Sequence, residues 1–114
     1  MAEKSLPQIE IRCAGSNEFY FIFRLPSDGM FVSVFFENKS EIVAAIETIK
    51  RNSTEDGNYL RNTTSEEQPY FVFRGRSKNP IGQSTLYEHP STMEVGIQFM
   101  KKNLQNVESI DLTT

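Results

Sequence analysis

Tyr20-Phe21-Ile22-Phe23-Arg24 returns fifty residues on as Tyr70-Phe71-Val72-Phe73-Arg74. After one extra residue the echo continues: Ser33, Glu37, Ser40, Ile46, Lys50 and Asn52 recur as Ser84, Glu88, Ser91, Ile97, Lys101 and Asn103. A period of about fifty residues means one supersecondary unit written twice. Positions that recur need only folding as their reason. Positions that fail to recur are where function is to be sought.

The 114 residues suit a single domain over 1–114, with repeat one at about 8–57 and repeat two at about 58–114. That length buries a core without help from metal or disulfide. A net charge of −3 gives no basic field for phosphates or anionic membranes, and nucleic acid is not the expected partner. Cys13 is the only cysteine and His89 the only histidine, which rules out an intrachain disulfide and Cys-based or His-pair metal sites. The start, Met1 to Pro7, holds no apolar run like a signal peptide, and no stretch has the roughly 20 apolar residues of a membrane span. A cytoplasmic, reduced chain is expected. The Asn-x-Ser/Thr triplets at Asn38, Asn52 and Asn62 then carry no glycosylation meaning.

Each unit reads as three strands and a helix. Gln8 to Cys13 alternates Ile9 and Ile11 with Glu10 and Arg12, a period-two strand. Phe19 to Leu25 is an aromatic strand, and Pro26-Ser27-Asp28-Gly29 is a hairpin signal in which Asp-Gly tolerates positive φ. Phe31 to Phe36 follows as a strand, and Ser40 opens a helix with the stripe Ile42, Ala45, Ile46 and Ile49. The second unit offers strands at Asn58 to Thr63, Tyr70 to Arg74 and Ile81 to Tyr87, joined by the polar loop Thr64 to Gln68 and a turn from Gly75 to Pro80. Its helix is predicted to begin with a Ser91–Glu94 capping box and to carry the stripe Met93, Gly96, Ile97 and Met100. Lys50-Arg51-Asn52 and Lys101-Lys102-Asn103 end the helices, cations against the negative dipole end and Asn suited to a left-handed cap. Glu108 to Leu112 is a last strand, with Ile110 one period beyond Tyr59 and Tyr59 one period beyond Ile9.

This order of aromatic-Arg strand, turn, strand, Ser-opened helix and terminal Lys-x-Asn resembles the YegP-like family, small bacterial proteins with one or two copies of a domain of unknown function. Pro69 to Phe73 and Gly96 to Asn103 carry the resemblance most clearly, and it spans about Ile9 to Asp111. It implies an α+β fold: tandem βββα repeats forming an antiparallel sheet with two helices on one face, plus a C-terminal strand. It also implies a pseudo-twofold axis between the copies. It implies no activity, cofactor or catalytic residue. Two departures stand out: Ala45 where the second copy has Gly96, and a third strand, Phe31 to Phe36, more apolar than the family pattern.

Strand alternation sorts the faces. Phe21, Phe23, Phe71 and Phe73 should face the helices, with Ser33 and Ser84 small enough to let a helix close in. The outer face then carries Tyr20, Ile22, Arg24, Val32, Val34 and Phe36 in copy one, against Tyr70, Val72, Arg74, Gln83, Thr85 and Tyr87 in copy two. The apolar excess of copy one has three readings: cross-strand packing, a protein contact such as a homodimer, or base stacking with the arginines on phosphates. Arg24 and Arg74, at strand ends, are placed to pair with Glu37 and Glu88. Val95 and Phe99 lie off the second helix stripe, where they would anchor a partner, dock Leu6, or stand as ordinary exposed residues.

Nothing points to catalysis. Gly75 to Gly82 lacks the Lys-Ser/Thr and the following helix of a phosphate loop. His89 before Pro90 reads as a surface or capping residue, and Cys13 as a small buried apolar one. The reading is therefore a non-catalytic domain without metal or cofactor, acting through protein association with itself or another protein. A nucleic-acid module on the outer face and a small-ligand binder in the groove between the copies are the alternatives.

Overall fold

The computed structural model describes residues 7–74 and 79–113. The elements run β1 (Gln8–Gly15), β2 (Glu18–Leu25), β3 (Gly29–Ser33), α1 (Lys39–Asn52), β4 (Tyr59–Thr63), β5 (Pro69–Arg74), β6 (Pro80–Ser84), α2 (Pro90–Asn103) and β7 (Glu108–Asp111). The seven strands form one sheet in the order β4-β5-β6-β3-β2-β1-β7. The sheet is mixed, not antiparallel as expected, because β7 pairs parallel to β1 with Glu10 beside Ile110. The other ladders are antiparallel, including the β3–β6 seam that joins the halves.

The Phe pairs set the core. Phe21, Phe23, Phe71 and Phe73 are buried from one sheet face beneath Ile42, Ile46 and Ile49 of α1 and Met93, Ile97 and Met100 of α2. Both helices therefore cover the same face, and each fully buried side chain of this size contributes about 1.5–3 kcal/mol. Phe31 sits between the halves, near the rings of Phe21, Phe71 and Phe73 at 6.2 to 6.4 Å between centroids.

Ser33 and Ser84 face the helices as expected, but small size is only part of their reason. The Phe21 amide donates to Ser33 Oγ at 2.8 Å, and the Phe71 amide to Ser84 Oγ at 3.0 Å. Each hydroxyl in turn donates to the next residue's carbonyl, Val34 or Thr85. A side chain thus supplies the acceptor for the Phe21 and Phe71 amides where β3 and β6 leave the ladder.

Several local features differ from their sequence reading. In the β2–β3 turn the positive φ values fall at Ser27 and Asp28, 62° and 61°, and not at Gly29, whose amide closes the turn onto Pro26. Asn38 caps α1, accepting from the Glu41 amide at 2.9 Å. In α2, Pro90 takes the first helical position and Glu94 pairs with Arg61 of β4, so the Ser91–Glu94 capping box does not form. Asn52 and Asn103 end their helices by donating side-chain amides to Thr48 and Phe99 carbonyls, not through a left-handed backbone. The predicted Gly75 to Pro80 turn lies mostly outside the described residues.

Candidate functional site: the outer face of the sheet

Among the described residues nothing covers the face away from the helices. Val32 of β3 and Val34 just beyond its end are 36% and 42% exposed on it. With Met30, Val72, Pro80 and Gln83 they line a groove of about 490 Å³ along the β3–β6 seam. Phe35 is more exposed still, at 62%, and meets the Tyr20 ring edge-on at 5.8 Å. At the far edge Ile110 shares this face, since its ladder neighbour Glu10 points outward.

Between these apolar areas lies an ion cluster. Glu10 Oε1 accepts from Arg12 at 2.6 Å and Oε2 from Arg24 at 2.9 Å. Partial burial alone would raise the Glu10 carboxyl, but the hydrogen bonds from Arg24 and Arg12 outweigh it and hold the group below the usual carboxylate range. Arg24 is thus paired across the strand with Glu10 and not with Glu37. Glu37 instead donates its backbone amide to Glu41 at the helix entry. Beneath the cluster Ile22 is outward in alternation yet buried, with Glu10 and Val32 as its ladder neighbours.

Phe36 and Tyr87 were expected on this face and are not there. Phe36 is half-buried against the core, and Tyr87 is buried within it. The strands stop at Ser33 and Ser84, and an irregular pair follows each, Val34-Phe35 and Thr85-Leu86. One inserted residue reverses the parity of every later side chain, as a bulge does. Phe36 then exchanges both backbone bonds with Phe19, while Tyr87 donates to Pro69.

The Tyr87 hydroxyl is a second point of interest. It is buried with no hydrogen-bond partner among the described residues, and burial raises its pKa. Two glycines make its room: a Cβ would lie 2.8 Å from the oxygen at Gly29 and 2.6 Å at Gly96. The departure noted from sequence is thereby explained. Fifty-one positions earlier in each case the sequence has Phe36, which carries no hydroxyl, in place of Tyr87 and Ala45 in place of Gly96.

The remaining candidates scatter. Val95 is 52% exposed on α2, away from the sheet. Phe99 is not a free outward ring: it packs against the core, with Phe23 at 5.8 Å between centroids. Leu6, its suggested partner, lies outside the described residues, although Pro7 lines the same cleft as Phe99. Cys13 was expected to be buried and is exposed beside a β1 irregularity, its thiol donating to the Gly15 carbonyl. His89 is exposed at the α2 entry and makes no side-chain cap. Among the described residues no three His, Cys, Asp or Glu side chains form a group that could hold a metal. No helix among them is long and apolar enough to cross a membrane.

Two outward residues were missed from sequence, Phe35 and Ile110. Phe35 is hidden by the parity change. Ile110 is hidden by reading β7 as a strand equivalent to β1, which would have turned it inward.

No family model matches the chain. It is 24% identical over 110 residues to the UPF0339 protein YegP of Yersinia pestis, covering 96% of this chain and 98% of that one. It is 25% identical over 105 residues to a UPF0339 protein of Acinetobacter baylyi, covering 91% and 95%. The solution structure of a UPF0339 protein from Shewanella oneidensis superposes with a TM-score of 0.86 at 22% identity, over 96% of this chain and 93% of that one. That of YegP from E. coli, a protein of unknown function, gives the same TM-score over 98% and 97%. The seven-stranded mixed sheet with its two helices is the fold of these proteins, and along nearly its whole length the chain is similar in sequence to the YegP-like proteins.

Proposed function

We propose that this protein acts by binding and not by catalysis, and that its working surface is the outer sheet face of the first half. The reading includes two copies of one βββα unit, at about 8–57 and 58–114, meeting at a pseudo-twofold axis between β3 and β6. One observation carries the functional part: Val32, Val34, Phe35 and Ile110, four of the large exposed apolar side chains, gather on one uncovered face. Val32, Val34 and Phe35 form an exposed apolar area of the kind that marks association sites, with Ile110 a separate apolar point across the Glu10 cluster. The partner is a protein, most simply a second copy.

Solution mass from 1 to 500 micromolar tests it. A concentration-dependent mass above the 13.1 kDa of one chain is expected, lost in Val32→Thr/Val34→Thr/Phe35→Ser. A strict monomer throughout would overturn self-association.

A second reading rests on the groove itself, whose roughly 490 Å³ and polar Gln83 and Thr85 suit a small ligand. Thermal stabilisation by a metabolite panel, with the mass unchanged, would favour it. Nucleic acid finds less support, since Glu10 already engages the charges of Arg12 and Arg24.

A further inference from the structure

Strand β7 carries an alternation that its position inverts. Ile110 and Leu112 are 41% and 43% exposed, with Ile110 on the outer face beside Glu10, while Asp111 between them reaches Lys39 at the start of α1. In a strand beside a core the apolar residues of such an alternation belong inside. The triplet Ile110-Asp111-Leu112 repeats the pattern of Ile9-Glu10-Ile11, whose two isoleucines are buried opposite Phe23 and Phe21.

The other half shows where such a strand goes when its place is free. Tyr59 follows Asn52 at the end of α1 by seven positions, and Ile110 follows Asn103 at the end of α2 by the same seven. Those positions set Tyr59 opposite Phe73 and buried, as Ile9 is set opposite Phe23. The strand after α2 has the length, direction and pattern to lie against β2. That lane is taken by β1, and β7 lies one lane further out, running the same way and slipped by one residue.

We propose that β1 and β7 are alternative partners of β2, a strand-exchange device built into the fold. When β1 leaves, β7 moves in by one lane, about 4.8 Å, and slips one residue, about 3.3 Å. Ile110 then faces Phe23 and Leu112 faces Phe21. Asp111 gives up Lys39 and comes opposite Ile22, the place from which Glu10 now binds Arg24. Two apolar side chains enter the core as two leave it, so the core stays closed while the N-terminal strand is released.

A disulfide trap tests this in the full chain carrying Cys13→Ser, Ile22→Cys and Asp111→Cys. As the strands stand, these positions are two lanes apart, β1 lying between them, and on opposite faces. That exceeds the roughly 7 Å Cα separation a disulfide tolerates. Only the exchanged arrangement pairs them. An intrachain 22–111 bond, independent of protein concentration and mapped by peptide mass, is expected under mild oxidation. A folded chain that forms no such bond overturns the proposal.

Should the trap variant fail to fold, Ile9→Asp/Ile11→Asp answers the same question. It is expected to keep a cooperative unfolding transition, and to lose it when Ile110→Asp/Leu112→Asp is added. Equal loss of folding in both variants overturns the exchange.

Discussion

Phe31 of β3 and Gly82 of β6 stand fifty-one positions apart in the sequence, one a large aromatic ring and the other with no side chain at all. They meet at the β3–β6 seam. A Cβ on Gly82 would lie 2.5 Å from the Val32 carbonyl oxygen and 2.7 Å from the Phe31 ring. Where β3 and β6 join edge to edge, the space at the join can be filled once. Phe31 fills it, touching the aromatic residues of both halves, and Gly82 leaves it open. Difference between the halves is therefore not by itself a sign of function. At the seam, sterics require it.

The sharpest way to break this comparison is Phe31→Ala, which removes the shared ring from a close-packed core. A loss of about 4 kcal/mol in denaturant unfolding is expected; a loss near 1 kcal/mol would mean that the seam collapses onto the gap.

Next comes Gly82→Ala, expected to cost about 3 kcal/mol because the added carbon meets main chain that cannot swing away. Phe31→Leu in that background should recover only part of the loss, since the carbonyl clash remains. Full recovery would show that the ring alone excludes a side chain at position 82.

The contact between Gly96 in mid-α2 and Tyr87 gives a smaller and reversible effect. Gly96→Ala is expected to cost about 2 kcal/mol in the native chain, its methyl pressing on the Tyr87 oxygen. With Tyr87→Phe the same change should gain about 1 kcal/mol from helix propensity. Tyr87→Phe alone should be neutral or stabilising, because it removes a buried hydroxyl that has no partner among the described residues. A strongly destabilising Tyr87→Phe would show that the hydroxyl has a partner in solution.

The smallest effect compares the two ends of the sheet. Asp56, before β4, has its pKa lowered to about 2 by hydrogen bonds from Arg61 and then Lys101. Asp111, in β7, is lowered to about 2 by Thr113 and then Lys39. A depressed carboxylate contributes stability above its unfolded value, about 3.8, and loses it as pH falls through about 2. Asp56→Asn and Asp111→Asn should each flatten the acid limb of stability between pH 4 and pH 2, slightly, both groups being exposed. An unchanged limb would show that these pairs are screened away.

The order of elements and the inward set were legible in the sequence because period-two and period-3.6 patterns report which side of an element is buried. Phe21, Phe23, Ile42, Ile46, Ile97 and Met100 follow that pattern without exception. The outer face was legible only as far as Ser33. Beyond it parity turns on one inserted residue, and nothing local distinguishes Val34-Phe35 from continuing strand, so Phe36 and Tyr87 were turned the wrong way. Arg24 was given Glu37 because that residue is near the next helix entry, whereas the sheet brings Glu10 beside it from fourteen residues back. The parallel β7 was hidden for the same reason: lane order is a property of the assembled sheet.

The two serine hydroxyls have one more consequence. Amides bonded within a ladder exchange with solvent when strands part, but those of Phe21 and Phe71 are held by a rotatable side chain. A χ1 turn of Ser33 or Ser84 unlatches one amide and leaves the strands together. Isotope exchange at these two residues would thus run on a clock of its own, one per half. The ratio of their rates would report, in an intact molecule, how differently the two sides of the seam breathe.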